Sequence, residues 1–240
     1  MKQKLEWFKL LPAGLAFRLI ILSLVRKVFK VPVTFSFSQG AEDIIIPYLI
    51  NVKKGIYVDV GCNEPVVFSN TFNFYLQGWT GINIDANSSL IEKCKRIRKK
   101  DISICAAVSD SEREVVFHKA KIPSVSTIDE NRLKDWKKLW EFDEADQEKV
   151  TTQTLTSILD KSLPPETLID LLTIDVEGHD FEVLKGLDIE RYRPGVIIIE
   201  LHSLDKALDS SIYKYLSEKN YSFSGYAVLN AYFTDNKRRK

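Results

Sequence analysis

The chain has 240 residues, 45% of them apolar and 28% charged, with a net charge of +1. That length holds one large α/β domain with an extension, and the near-neutral balance excludes a general field for nucleic acid, so no nucleic-acid partner is expected. Three cysteines, Cys62, Cys94 and Cys105, are odd in number and lack CxxC spacing; this excludes a disulfide framework or structural zinc, indicates a reducing, cytoplasmic compartment, and leaves Cys94 and Cys105 as small buried residues.

The first thirty residues carry seven Lys or Arg against the single acid Glu6, around the apolar run "LLPAGLAFRLIILSLV". This run is too short and too interrupted by Arg18 for a transmembrane helix, which needs about 20 apolar residues. "RKVFK" follows it, not the small-residue cleavage site of a signal peptide. Residues 1–35 therefore read as a basic, apolar helical arm. Two uses stay open: peripheral contact with an anionic membrane through residues 1–30, or packing on the domain or a partner chain. The "KRRK" tail reads as solvated, with a second weak lipid contact as its alternative.

After the linker around Pro32, "SQGAEDIIIPYLI" reads as a helix capped by Ser38, with Ile44, Ile45, Tyr48 and Leu49 as its apolar stripe. Strands and helices then alternate. "GIYVDV" is a first strand, and "SNTFNFYLQG" a helix capped by Ser69 and stopped by Gly78. "TGINID" is a second strand and "SSLIEKCKRIRKK" a helix with late positive charge, as its dipole prefers. "ISICAAV" is a third strand, with "EREVVFHK" a short strand beside it. "TLIDLLTID" and "GVIIIELH" are buried strands around the helix "HDFEVLKGL", which Gly186 closes. "LDKALDSSIYKYLSEKN" is a helix, and "YSFSGYAV" and "AYFT" form a hairpin at the sheet edge. Such alternation means a mainly parallel sheet flanked by helices, a Rossmann-like domain over residues 36–240. Residues 119–150, with Pro123, Trp136 and Trp140, break the alternation and read as an insertion with its own structure or a lid role.

In open parallel sheets, ligands bind beyond the carboxyl ends of the strands. Those ends are Asp59–Asn63, Ile84–Ala86, Ala106–Val108, Asp175–His179 and Glu200–His202. Four of the five carry carboxylates, and two of the three histidines lie at the last two. Asp101 opens its strand, at the opposite edge. Asp85 follows Gly61 at the spacing of an acid that takes a ribose diol. Gly61 lets backbone approach a ligand without a Cβ in the way. The G-x-G-x-x-G fingerprint for a pyrophosphate is absent, and Glu64 in the turn opposes a phosphate. A phosphate-free nucleoside with positive charge, such as S-adenosylmethionine, fits this acidic turn. The plain alternative is a strand–turn–helix that Asp59 and Asn63 merely cap.

The blocks "FSQGAEDIIIPYL", "GIYVDVGCNEPVVFSNTFNFYLQGWTGINIDAN", "AAVSD" and "LTIDVEGHDFEVLKGLDIERYRPGVIIIELH", over roughly residues 36–202, resemble the FkbM-type S-adenosylmethionine-dependent methyltransferases, of the class I methyltransferase fold. The resemblance implies O-methylation, in many members of a sugar hydroxyl on a glycan or glycosylated metabolite. It puts Asp59, Gly61 and Asn63 at the methionine side of the cofactor, Asp85 at the ribose, and Ala106 and Ala107 at the adenine. Cys62, Asn70, Ala86 and Asp175 complete the cofactor set. Asp175, Glu177 and His179 would sit beside the transferred methyl. The sequence departs from the family at Cys62–Pro65, where runs beginning with Ala are common, and at Asp180, where Glu is frequent.

In-line attack by a hydroxyl at the sulfonium methyl needs orientation and a base. His179 is the first choice for the base and His202 the second, because an imidazole titrates near neutrality. Glu177 or Glu200 would orient the imidazole or bind acceptor hydroxyls. Ser126, Thr127, Glu200 and His202 are the candidate substrate contacts, and Trp136 and Trp140 stack on a sugar or pack the insertion. A divalent metal on Asp175, Glu177 and Glu200 with a histidine is not favoured, because alternate strand residues point to opposite faces. An NAD(P)-dependent oxidoreductase and a non-catalytic, membrane-associated scaffold on the same fold are the rival readings.

Overall fold

Continuous apolar runs become the middle of the sheet in the computed structural model, which describes residues 13–30, 34–120, 126–139, 142–202 and 208–238. Seven strands form one sheet: β1 (Ile56–Val60), β2 (Thr80–Asp85), β3 (Ile102–Cys105), β7 (Leu171–Ile174), β8 (Val196–Glu200), β9 (Tyr221–Ala227) and β10 (Asn230–Asp235). Their order is β3-β2-β1-β7-β8-β10-β9. β3, β2, β1, β7 and β8 pair in parallel, while β10 runs antiparallel between β8 and β9. The final hairpin thus closes one edge. β7 and β8 are buried along their whole length, as strands covered on both faces must be.

Strand alternation divides the core into two layers. Val58, Val60, Leu172, Ile174, Ile197 and Ile199 face one side and pack with Val183 and Leu184 of helix α7 (Asp180–Lys185) and Leu216 of α9 (Ser211–Glu218). Tyr57, Leu171, Val196 and Ile198 face the other, with Phe72, Phe74 and Tyr75 of α3 (Phe72–Leu76) and with Ala16 and Leu19 of α1 (Ala13–Phe29). The arm therefore packs one of its faces on the domain.

Several local expectations are corrected. Ala41, not Ser38, occupies the N-cap of α2 (Glu42–Ile45), and Pro47 turns the next residues into a 3-10 turn, Ile46–Tyr48, that leaves Tyr48 86% exposed. Ser38 hydrogen-bonds the Asp43 carboxylate instead, at 2.9 Å. Ser69 does accept the amides of Thr71 and Phe72, but it lies two residues before the N-cap, Thr71. "ISICAAV" is two strands: at Ala106 the chain leaves β3 and joins a second sheet as β4 (Ala107–Ser109). That sheet has the order β4-β6-β5, with β5 at Glu114–Ala120 and β6 at Phe142–Thr154. Residues 119–150 therefore have structure of their own, including α5 (Glu130–Trp136) and most of β6. Pro32, Pro123, Trp140 and residues 1–12 lie outside the described residues. The last predicted helix is realised at Ser211–Glu218, capped by the Ser210 side chain.

Candidate functional site

Register, not sequence distance, assembles the rim. Val60 pairs with Ile84 on one side and Ile174 on the other, and Ile174 pairs with Ile199. The next residues, Gly61, Asp85, Asp175 and Glu200, thus stand side by side at the carboxyl ends of the strands. The amides of Gly61 and Cys62 both donate to the Ile84 carbonyl, and the Asp175 amide donates to Val60. Gly61 sits at φ +79°, and a Cβ there would come 1.8 Å from the Asp175 carbonyl oxygen. Only glycine lets these two strand ends close.

Beyond them opens a cleft of about 1070 Å3, mouth included. All ten cofactor-side candidates named from the sequence line it, as do Ser126, Thr127 and Glu177. Four of its lining residues are carboxylates (Asp59, Asp85, Asp175 and Glu177), and among the described residues none that lines it is a Lys, Arg or His. Glu64 plays no part in this acidity: it pairs with Lys93 and does not line the cleft. Cys105 is exposed, not buried, while Cys62 and Cys94 are buried with sulfurs 3.9 Å apart.

Each carboxylate is held differently. Asp85 accepts the Asn87 amide on Oδ1 at 2.8 Å and the Asn63 amide on Oδ2 at 3.0 Å. Burial lifts its pKa to about 6 against those two hydrogen bonds. Each oxygen keeps a second lone pair for a ligand hydroxyl, which suits a ribose diol. Asp59 is buried and accepts the Thr71 hydroxyl at 2.6 Å. Beneath it lies Arg98, 1% exposed, which donates to Thr71, Asn83 and Ser69 side chains and to the Pro65 carbonyl. The sequence presents Arg98 as one of several late helix cations; its burial in the scaffold of the turn could not be read from it. Asp101 stays at the far edge, bonded to Tyr57, Gly81 and Asn83.

The loop after β7 presents Glu177. Both oxygens of Asp180 accept loop amides, Val176 at 3.0 Å and Gly178 at 3.1 Å, and Glu177 is forced to φ +57°. Such backbone strain in a non-glycine residue costs about 1–3 kcal/mol and gathers at functional sites. Oε2 of Glu177 accepts the indole N–H of Trp136 at 3.2 Å. Burial raises this carboxyl to about 7, against the attraction of Arg132.

Thr127 lines the cleft, whereas His179 and His202 lie outside its lining. The Thr127 hydroxyl lines the cleft but already donates to the Glu177 carbonyl at 2.9 Å and accepts the Asp129 amide at 2.9 Å, so it fixes the loop. Ser126 accepts the Ala120 amide at 3.0 Å. His179 does not line the cleft. It occupies the N-cap of α7, with Nε2 2.9 Å from the buried Ser109 hydroxyl, and burial lowers its pKa. Glu200 and His202 also lie off the cleft lining, with His202 Nε2 3.1 Å from Glu200 Oε2. Burial pushes His202 down to about 4. Burial and the neighbouring acids push Glu200 up to about 10. At neutral pH this contact joins two uncharged groups.

Asp175, Asp180 and Glu200 bring carboxylate oxygens within 4.8 Å of one another. Asp175 and Glu200 come from adjacent strands and converge, whereas Glu177, two residues after Asp175, stands apart from the cluster. The cluster's counter-charge is Arg132, with Nη2 3.6 Å from Glu200 and its guanidinium 4.9 Å from the Trp136 ring. Sequence reasoning missed Arg132. Its only signal was i, i+4 spacing with Trp136 on one face of a helix.

A family model described as the methyltransferase FkbM domain matches residues 59–223. No curated protein matches significantly. Among solved structures, a TehB-like SAM-dependent methyltransferase from Corynebacterium glutamicum is similar at 13% identity and TM-score 0.42, over 92% of this chain and 99% of that one. A precorrin-6y C5,15-methyltransferase from Geobacter metallireducens is similar at 10% identity and TM-score 0.42, over 86% of this chain and 92% of that one. The match spans most of the Rossmann-like domain and the whole acidic rim, so the oxidoreductase and scaffold readings give way: the chain belongs to the FkbM family of S-adenosylmethionine-dependent methyltransferases.

Proposed function

We propose that this methyltransferase acts on a hydroxyl of a sugar-like acceptor, in a glycan or glycosylated metabolite, with Glu177 as the base. The observation that carries the proposal is the cleft itself: four lining carboxylates, no lining cation among the described residues, and a Glu177 carboxyl with its pKa near neutrality. When bound, S-adenosylmethionine supplies a methyl carbon on a sulfonium, and its adenosyl part carries no phosphate for those carboxylates to repel. Asp85 takes the ribose hydroxyls with the lone pairs its two amide bonds leave free. Ala86, Ala106 and Ala107 line the cleft, and their small side chains leave room for the adenine. Asp59, Asn63, Asn70 and Asp175 line the methionine side.

Glu177 accepts the proton of the acceptor hydroxyl as the oxygen–methyl bond forms. A base whose pKa lies near the working pH combines a useful ionised fraction with real driving force for proton transfer. The indole N–H of Trp136 holds the carboxylate in place. Trp136 and Arg132 flank the Glu177 carboxylate, and an aromatic ring beside hydrogen-bonding groups suits a sugar. His179, tied to Ser109 behind the loop, is a positioning residue in this reading. The test is methyl transfer from labelled S-adenosylmethionine to a panel of cell-envelope glycan precursors and free sugars. Label on a sugar oxygen, lost with Glu177→Gln, supports the proposal. Label on a nitrogen or carbon of another acceptor class, or full activity of Glu177→Gln, overturns it.

A further inference from the structure

Helix α1 has more than one apolar face. Ala16 and Leu19 are buried against the domain. On another side Phe17, Ile21, Leu24 and Val28, spaced i, i+4, i+7 and i+11, are exposed at 58, 42, 50 and 70%. That spacing turns all four to one side of the helix, as a stripe running about 16 Å along its axis. Leu22 and Phe29 add exposed apolar surface beside it. Scattered exposed apolar residues are ordinary, but a contiguous stripe marks a docking surface.

The charge around the stripe says what docks. Arg18, Arg26, Lys27 and Lys30 are all exposed, and residues 13–30 contain no acid. Among the described residues, none of the four pairs with a carboxylate. On a helical wheel Arg18 and Lys27 lie to either side of the stripe, where a long side chain can reach past apolar neighbours towards phosphate. Helix α1 is 17 residues long, and among the described residues no helix is long and apolar enough to cross a membrane. Apolar side chains bounded by unpaired cations, on a helix too short to span, are the features of a helix that lies in a lipid–water interface.

We propose that α1 docks the protein on an anionic lipid surface, with Phe17, Ile21, Leu24 and Val28 entering the apolar boundary and the flanking Arg18 and Lys27 meeting lipid phosphates. The proposal is independent of the acceptor assigned above. The experiment is flotation of the full-length protein with vesicles of phosphatidylcholine alone and of phosphatidylcholine mixed with phosphatidylglycerol. The protein is expected to float with the mixed vesicles, far less with the neutral ones, and to be released by added salt. Each cation near such a surface is worth about fivefold in binding. Replacing Arg18 and Lys27 by Gln should therefore cost about 25-fold. F17S/I21S/L24S/V28S should abolish flotation on both vesicle types, while S-adenosylhomocysteine binding, unchanged in both variants, reports an intact domain. Wild-type protein that stays down with the mixed vesicles overturns the proposal, as does either variant floating like wild type. So does a dimer that the apolar variant converts to monomer, because the stripe is then covered by a second copy.

Discussion

The chemistry at the rim is decided by how much each carboxylate is desolvated. Glu177 titrates near 7 and faces the cleft, whereas the His179 ring is turned against Ser109. A base works in its ionised form, so turnover should rise with pH through about 7 and level off above it. Glu177→Gln should lower turnover by about 10²–10⁴-fold, with little change in cofactor affinity, and remove that acidic limb. His179→Ala should keep the limb and lose activity modestly. An imidazole base with a depressed pKa would instead level off well below 7, and a profile of that kind counts against Glu177. For Asp85→Asn, calorimetry should show cofactor affinity reduced about tenfold or more, since hydrogen bonds to a charged acceptor contribute about 1.5–3 kcal/mol. Asp85 was legible as a cleft residue from its distance to Gly61, because an acid at the end of the second strand stands beside the turn that ends the first. Glu177 was legible as a rim acid but not as the proposed base, because residue type alone favoured histidine. Arg132 was not legible: what makes it matter is the group of acids it meets, and those come from β8, the loop between β7 and α7, and α7 itself.

Among the elements, the turn from β1 to α3 carries the site. Its geometry rests on Gly61, where added bulk strikes backbone that β7 pairing holds in place. Gly61→Ala should destabilise the domain by about 2 kcal/mol or more and abolish cofactor binding, as seen in thermal unfolding with and without S-adenosylhomocysteine. Near-normal melting and binding would show that the rim does not depend on this close approach. The parallel strands could be read because burial on both faces demands unbroken apolar runs. β6 could not be: "FDEADQEKVTTQT" offers almost no apolar alternation, and its pairing with β5 rests on backbone bonds and surface ion pairs such as Lys119–Glu148. The break between β3 and β4 escaped for the opposite reason. "ISICAAV" is uniformly strand-like, and only the second sheet makes the chain turn at Ala106.

Over the whole molecule, a group of buried acids ties stability to pH. Glu200 is raised to about 10 and Asp180 to about 6, and Asp175 is also raised, chiefly by burial. The folded state therefore keeps protons that the unfolded chain releases above about pH 4.5. Stability contributed by these groups falls as pH rises through that interval. Glu200→Gln, which cannot ionise, should melt a few °C higher than wild type at pH 8, with a much smaller difference at pH 5; for a chain of this size about 2–4 °C corresponds to 1 kcal/mol. An equal difference at both values would mean that Glu200 is ionised in the folded protein. The comparison must be between variants, because acids such as Asp110, held low by Arg113 and Lys185, contribute with the opposite sign.

Alternation of strand and helix revealed the sheet, and strand ends revealed its rim; the order in which the insertion folds back over that rim required three dimensions. The central claim is that the acidic rim of β1, β2 and β7 selects a cationic, phosphate-free nucleoside. Isothermal titration of the full-length protein with S-adenosylmethionine, S-adenosylhomocysteine and NADH, repeated with Asp85→Asn, tests it most directly. The account predicts micromolar binding of the two adenosyl ligands, at least a tenfold loss with Asp85→Asn, and no heat from NADH. Binding of NADH, or adenosyl ligands indifferent to Asp85, would contradict it.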